Sequence, residues 1–128
     1  MTYLLDTHTF IWILNTPEVL PSGVRGIVED HSATLLVSIA TPWEMAIKVA
    51  SGKLNAGDIL DDFEGAMARG RFALLDTAVR QAISAGRLSP HHRDPFDRLL
   101  AAQALDLRVP LISRDGIFDL YGVKRIWD

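Results

Sequence analysis

The chain has 128 residues, with 16 Asp and Glu against 13 Lys and Arg, no cysteine and 48% hydrophobic residues. That length suits one domain, residues 1–128, and the apolar share is enough for a core, so a disordered chain is excluded. Without cysteine there is no disulfide, zinc–thiolate centre or cysteine nucleophile. No apolar run approaches the ~18 residues of a membrane span, and Asp6 interrupts the first apolar stretch too early for a signal peptide, so a cytoplasmic protein away from membranes is expected.

Tyr3-Leu4-Leu5 reads as a buried parallel strand ending at Asp6. Phe10 to Leu14 is apolar on nearly all sides and reads as a buried helix. After Pro17 and Pro21, a second helix runs from about Ser22 to Asp30. Leu35-Leu36-Val37-Ser38 is a second strand. Thr41 then reads as an N-cap, with Pro42 in the first helical position and Glu44 closing a capping box. The apolar spacing of this helix puts Trp43, Ala46, Ile47 and Ala50 inside, and Gly52 ends it.

Ile59, Leu60, Phe63 and Met67 mark a further helix, stopped by Gly70. Phe72 to Leu75 is the third strand. Asp76 reads as the cap of a helix that buries Val79, Ala82 and Ile83 and ends at Gly86. Ser89 to Arg93 is a loop. Asp94-Pro95 opens the next helix, with Phe96, Leu99, Leu100 and Leu107 facing the core. Leu111-Ile112-Ser113 is strand four, and Val123 to Trp127 is strand five. Strands alternating with helices imply a three-layer α/β/α sandwich, with helices on both faces of a parallel sheet of about five strands.

In such folds ligands sit beyond the carboxyl ends of the strands. Asp6 ends strand one. Glu44 lies in the first turn after strand two. Asp94 and Asp97 open the helix before strand four, and Asp115 follows that strand. With these five set aside, 11 acids remain against 13 Lys and Arg, so an acidic site lies in a mildly basic surface. Gathered carboxylates repel unless a cation neutralises them, and hard oxygen donors select Mg²⁺ or Mn²⁺. Each acid also has a purely structural reading as a cap or turn residue. Asp97 has the weakest such reading, because it sits three residues into an apolar helix. Asp76 ends strand three as Asp6 ends strand one, and it falls outside the site if strand three is a sheet edge.

Leu4-Leu5-Asp6-Thr7-His8, Trp43-Glu44-Met45-Ala46-Ile47-Lys48, Asp94-Pro95-Phe96-Asp97-Arg98-Leu99-Leu100-Ala101-Ala102-Gln103 and Ser113-Arg114-Asp115 resemble the successive motifs of PIN-domain ribonucleases. Within that family they look like the VapC-type toxins of bacterial toxin–antitoxin pairs. The resemblance spans about Leu4 to Trp127, and its most specific piece is Asp94 to Gln103. It implies that Asp6, Glu44, Asp97 and Asp115 hold Mg²⁺ or Mn²⁺, with Asp94 either a further ligand or only a helix cap. His8 stands where many PIN domains have Asn; many relatives of this subtype share the His.

The implied activity is endoribonucleolytic hydrolysis of RNA by water, leaving 5′-phosphate and 3′-hydroxyl ends. The implied partners are a small cognate antitoxin and a second copy of the chain. Apolar faces at Phe10–Leu14 and Ile59–Met67 are either docking surfaces or core.

Supporting roles are open at this level. Lys48, four residues after Glu44, is either a surface ion pair or a group that orients Glu44. Thr7 and Ser113 either orient the acids or satisfy backbone groups. Arg93, Arg98 and Arg114 flank the acids and are candidates to hold the RNA backbone. His91-His92 reads as a loop touching phosphate rather than as a metal site, and Trp12 and Trp43 read as core. Two rivals stand beside the nuclease. One is a phospho-receiver-like signalling domain using Asp76, Ser113 and Lys124, although its paired acids after strand one are missing because Thr7 follows Asp6. The other is a catalytically silent PIN binding module.

Overall fold

The structure is a computed structural model describing residues 1–128. Five strands, β1 (Thr2–Leu5), β2 (Thr34–Ser38), β3 (Phe72–Leu75), β4 (Leu111–Ile112) and β5 (Arg125–Ile126), form one sheet in the order β3-β2-β1-β4-β5. Every pairing is parallel. Seven α-helices cover it: α1 (Thr7–Asn15), α2 (Ser22–Glu29), α3 (Ala40–Ala50), α4 (Gly57–Asp61), α5 (Phe63–Arg69), α6 (Val79–Arg87) and α7 (Pro95–Leu107). Short 3-10 helices lie at Pro17–Val19 and Gly116–Tyr121. None of the helices is long and apolar enough to cross a membrane.

The two-residue period of the strands splits the core in two. Leu5, Leu35, Val37 and Ile112 face one layer, where they meet Phe10, Val24, Met45, Ile59 and Ala66 of α1 to α5. Leu4 and Leu111 face the other, against Leu100, Ala101 and Ala104 of α7, with Phe118 and Val123. Phe10–Leu14 and Ile59–Met67 thus pack into the first layer rather than forming free faces. Trp12 is half-buried, with its ring 5.6 Å from that of Trp127. The sheet reverses its order between β1 and β4, and this switch point is where a parallel sheet opens a crevice for ligands.

Several sequence-based expectations are corrected. The helix expected over Ile59–Met67 is two, broken at Asp62, whose side chain accepts the Gly65 N–H at 3.1 Å and so caps α5. α3 begins at Ala40, not after Thr41, because Ser38 Oγ accepts the Ala40 N–H at 3.1 Å. The capping box therefore does not form. Trp43, Ala46, Ile47 and Ala50 are all exposed, Trp43 by 64%, while Ala40, Thr41, Glu44 and Met45 point inward. Trp43 meets Phe96, edge to face at 5.0 Å.

α6 is corrected in the same sense. Its cap is Ala78, whose N–H is accepted by Gln81 Oε1 at 3.1 Å, and Asp76 is exposed outside it. Val79, Ala82 and Ile83 face solvent, and the buried residues are Gln81 and Ala85. Gln81 also donates to Asp106 Oδ2 at 2.9 Å and accepts from Gln103 at 3.2 Å, a polar contact between α6 and α7. Leu107, expected in the core, is exposed.

Candidate active site

Five acids converge beyond the carboxyl ends of β1, β2 and β4. Three of them are helix caps that spend one carboxylate oxygen on the cap. Asp6 Oδ1 accepts the Thr9 N–H at 2.8 Å and starts α1. Asp94 Oδ1 accepts the N–H groups of Phe96 and Asp97 at 2.8 and 3.2 Å and starts α7 behind Pro95. Asp115 Oδ1 accepts the Ile117 N–H at 3.0 Å and starts the second 3-10 helix. Each keeps a second oxygen for the site, so cap and site are compatible uses of one side chain.

The second oxygen of Asp6 is held as well. Asp6 Oδ2 accepts the Ser113 hydroxyl, and Ser113 Oγ in turn accepts the Asp115 N–H at 3.0 Å. Ser113 thereby ties the end of β1 to the turn after β4. Asp6 is only 8% exposed, and burial raises its carboxyl above the ordinary range despite the hydrogen bonds from Ser113 and Thr9.

Glu44 is buried on the inner face of α3. Thr7 donates to its Oε1 at 2.5 Å and Lys48 Nζ to its Oε2 at 2.5 Å. Lys48 also lies 3.9 Å from Asp94 Oδ2. Burial opposes the lysine's charge, but the hydrogen bond to Glu44 and the charges of Glu44, Asp94 and Asp97 outweigh it, and its pKa is raised. Lys48 is therefore a fixed cation inside the acid cluster. Thr7 and Ser113 likewise hydrogen-bond the acids, Thr7 to Glu44 and Ser113 to Asp6.

Asp97 is the centre. Its acceptor atoms lie within 4.8 Å of those of Glu44 and Asp94 on one side, and of Asp115 and His92 on the other. Burial, then the charges of Asp94, Glu44, Asp6 and Asp115, push its carboxyl up to about 8. The cluster holds more negative charge than the chain itself neutralises. The five carboxylates, with one lysine among them as counter-charge, offer a set of hard oxygens that fits Mg²⁺ or Mn²⁺. Asp6 lies outside both close sets, yet near enough for its charge to act on Asp97.

His92 is the site residue that sequence reasoning missed. Its Nε2 is 2.7 Å from Asp97 Oδ2 and 3.9 Å from Asp115 Oδ2. The only signal was its place two residues before Asp94, and a loop carries no periodicity to show where its side chain turns. Among the arginines, Arg98 is corrected. Its guanidinium donates to the carbonyls of Gly86, Leu88, Ser89 and His92 at 2.9–3.3 Å, so it builds the loop rather than facing a substrate. Arg93 and Arg114 are exposed. Arg114 lines an open cleft of about 270 Å³ with Asp6, His8, Trp12 and Asp115.

The receiver-like trio does not assemble. β3 is an edge strand and Asp76 is exposed just after it, apart from the acid cluster. Lys124 precedes β5 and its carbonyl pairs with Leu111, at the opposite end of the sheet from Ser113. The strand order also differs from the 2-1-3-4-5 order of receiver folds.

The PIN domain profile matches residues 3–124. The chain belongs to the PIN-domain family. No curated protein is similar enough in sequence to match it. Its PIN fold is similar to solved structures of three complexes. VapBC2 from Rickettsia felis, bound to a DNA fragment from their promoter, gives a TM-score of 0.69 at 16% identity over 100% of both chains. VapBC-1 from nontypeable Haemophilus influenzae gives 0.68 at 21%, over 98% of this chain and 97% of that one. FitAcB from Neisseria gonorrhoeae gives 0.60 at 19%, over 97% and 96%. At these identities the likeness is one of fold.

Proposed function

We propose that this PIN domain is a divalent-metal-dependent endoribonuclease and the toxin of a toxin–antitoxin pair. The observation that carries the reading is the cluster around Asp97, where five acids meet at the switch point of the sheet with one lysine among them. Asp97, Asp115, Glu44 and Asp6 would hold Mg²⁺ or Mn²⁺, with Asp94 contributing the oxygen that it does not spend on its cap. When bound, the ion supplies Lewis acidity, making water a stronger nucleophile and offsetting charge on the phosphodiester.

The rest is work for the chain. Thr7 and Lys48 hold Glu44, and Ser113 holds Asp6, so these carboxylates are oriented in advance. Lys48 limits repulsion inside the cluster. Arg114, exposed beside Asp115, is placed to hold an RNA phosphate, and Arg93 is a second candidate. A small antitoxin and a second copy of the chain are the proposed partners. The fold shared with chains of VapBC and FitAB complexes supports the first.

The test is cleavage of a mixed structured RNA by purified protein with Mg²⁺, Mn²⁺ or chelator, beside Asp97→Asn prepared identically. Metal-dependent cleavage, lost by at least about a thousandfold in the variant, is expected from removing a central ligand of a metal-assisted reaction. Equal cleavage by both proteins would overturn the assignment of Asp97. Metal binding with no cleavage of any RNA would instead identify a silent PIN module.

A further inference from the structure

His92 reaches the site on a loop built to carry it. Arg98 gathers four carbonyls of the Gly86–His92 segment, one of them that of His92 at 3.2 Å. The Tyr121 hydroxyl accepts the His92 N–H at 2.8 Å. The Asp94 N–H donates to His92 Nδ1 at 3.3 Å. So much restraint on one backbone segment leaves the imidazole little freedom.

The last contact decides its chemistry. A neutral imidazole carries one proton, and an Nδ1 that accepts from an amide leaves that proton on Nε2. Nε2 is the atom facing Asp97. A metal-bound histidine has the reverse polarity: a lone pair toward the ion and an N–H toward a carbonyl or carboxylate behind it. His92, Asp97 and Asp115 are close enough to hold an ion, but His92 presents a proton where a ligand would present a lone pair.

We infer that His92 is a positioning residue that fixes the Asp97 carboxylate by donating from Nε2, and that it does not itself ligate the metal. This rests on the metal-site reading above. It leaves an all-oxygen donor set, the chemistry of Mg²⁺ as much as of Mn²⁺. It also gives Asp97, whose oxygens serve no cap, a partner that sets its orientation, as Thr7 and Lys48 set that of Glu44.

The experiment measures Mn²⁺ affinity from the electron paramagnetic resonance signal of the free ion, using the full chain and the variants His92→Leu, His92→Asn and His92→Gln. Losing a hydrogen-bond partner of a ligating carboxylate typically weakens metal binding by about 10–100-fold. That loss is expected for Leu, and for Asn, whose amide stops near the Nδ1 position. Gln extends its amide N–H to the Nε2 position and is expected to recover most of the affinity. Thermal unfolding in chelator identifies any variant that fails to fold, and the Gln-to-Asn contrast then stands in for Leu.

Pulsed resonance of the Mn²⁺-bound wild type is expected to show no directly coordinated nitrogen. Affinity unchanged in all three variants, Gln no better than Asn, or a coordinated nitrogen that disappears in His92→Gln would each overturn the inference. Failure of the wild type to bind Mn²⁺ would overturn the metal reading and this inference with it.

Discussion

The two flanks of Asp97 are built on different principles. On the α3 flank, Glu44 is buried and held at both oxygens: a hydroxyl on one, a lysine on the other. On the β4 flank, the Asp115 side chain is 49% exposed, and His92 Nε2 lies 3.9 Å from its second oxygen. One flank carries its own counter-charge and is closed. The other borders the cleft with Arg114 and is open to whatever enters from solvent. The difference indicates where a phosphodiester approaches, because a substrate needs the flank that has unspent charge and room.

The largest test of this contrast concerns Asp97 itself. Its carboxyl titrates near 8 in the folded chain, against the ordinary 3.8. Between those values the folded state holds a proton that the unfolded state has lost. Metal-free stability therefore falls as pH rises from about 4 to about 8, at up to about 1.4 kcal/mol per pH unit. Asp97→Asn removes that slope. In chelator, urea unfolding is expected to show the variant more stable than wild type by a few kcal/mol at pH 8, with little difference at pH 4. Equal stability at both pH values would mean that the acids do not strain one another.

The next test breaks the closed flank. Lys48→Met leaves buried Glu44 without its cation, and an unpaired buried acceptor costs about 1–3 kcal/mol. Metal-free unfolding is expected to shift by that amount, and added Mn²⁺ to restore part of it. A shift no larger than that of a surface ion pair, under about 1 kcal/mol, would return Lys48 to the plain i,i+4 role. The smallest effect is expected at Asp76→Asn, just past the edge strand, which should leave RNA cleavage within about twofold of wild type. Loss of cleavage there would undo the placement of the site.

These flanks also differ in how far they could be read from residues alone. The β4 side and the start of α7 were legible, because Asp94-Pro95 is a capping signal and the strand ends are marked by apolar runs stopping at Asp6 and before Asp115. α3 was misread because its apolar stripe faces solvent. The inner face of that helix carries Thr41 and Glu44, since it lines the site rather than only the core. Periodicity assumes that the apolar side points inward, and a helix that delivers polar groups to a buried site reverses the assumption. α6 misleads in the same way, with Gln81 inside and Val79 outside. His92 was illegible because its position depends on Arg98 and Tyr121, contacts made across 6 and 29 residues by side chains with no shared pattern.

The central strand of the sheet is also the first stretch of the chain. β1 pairs with β4 only after some hundred residues have been made, and the bond from Ser113 to Asp6 spans 107 positions. Contacts of that separation form late, because the loop they close must be ordered first. The acid cluster therefore assembles only once β4 has docked beside β1 and brought Ser113 and Asp115 to Asp6.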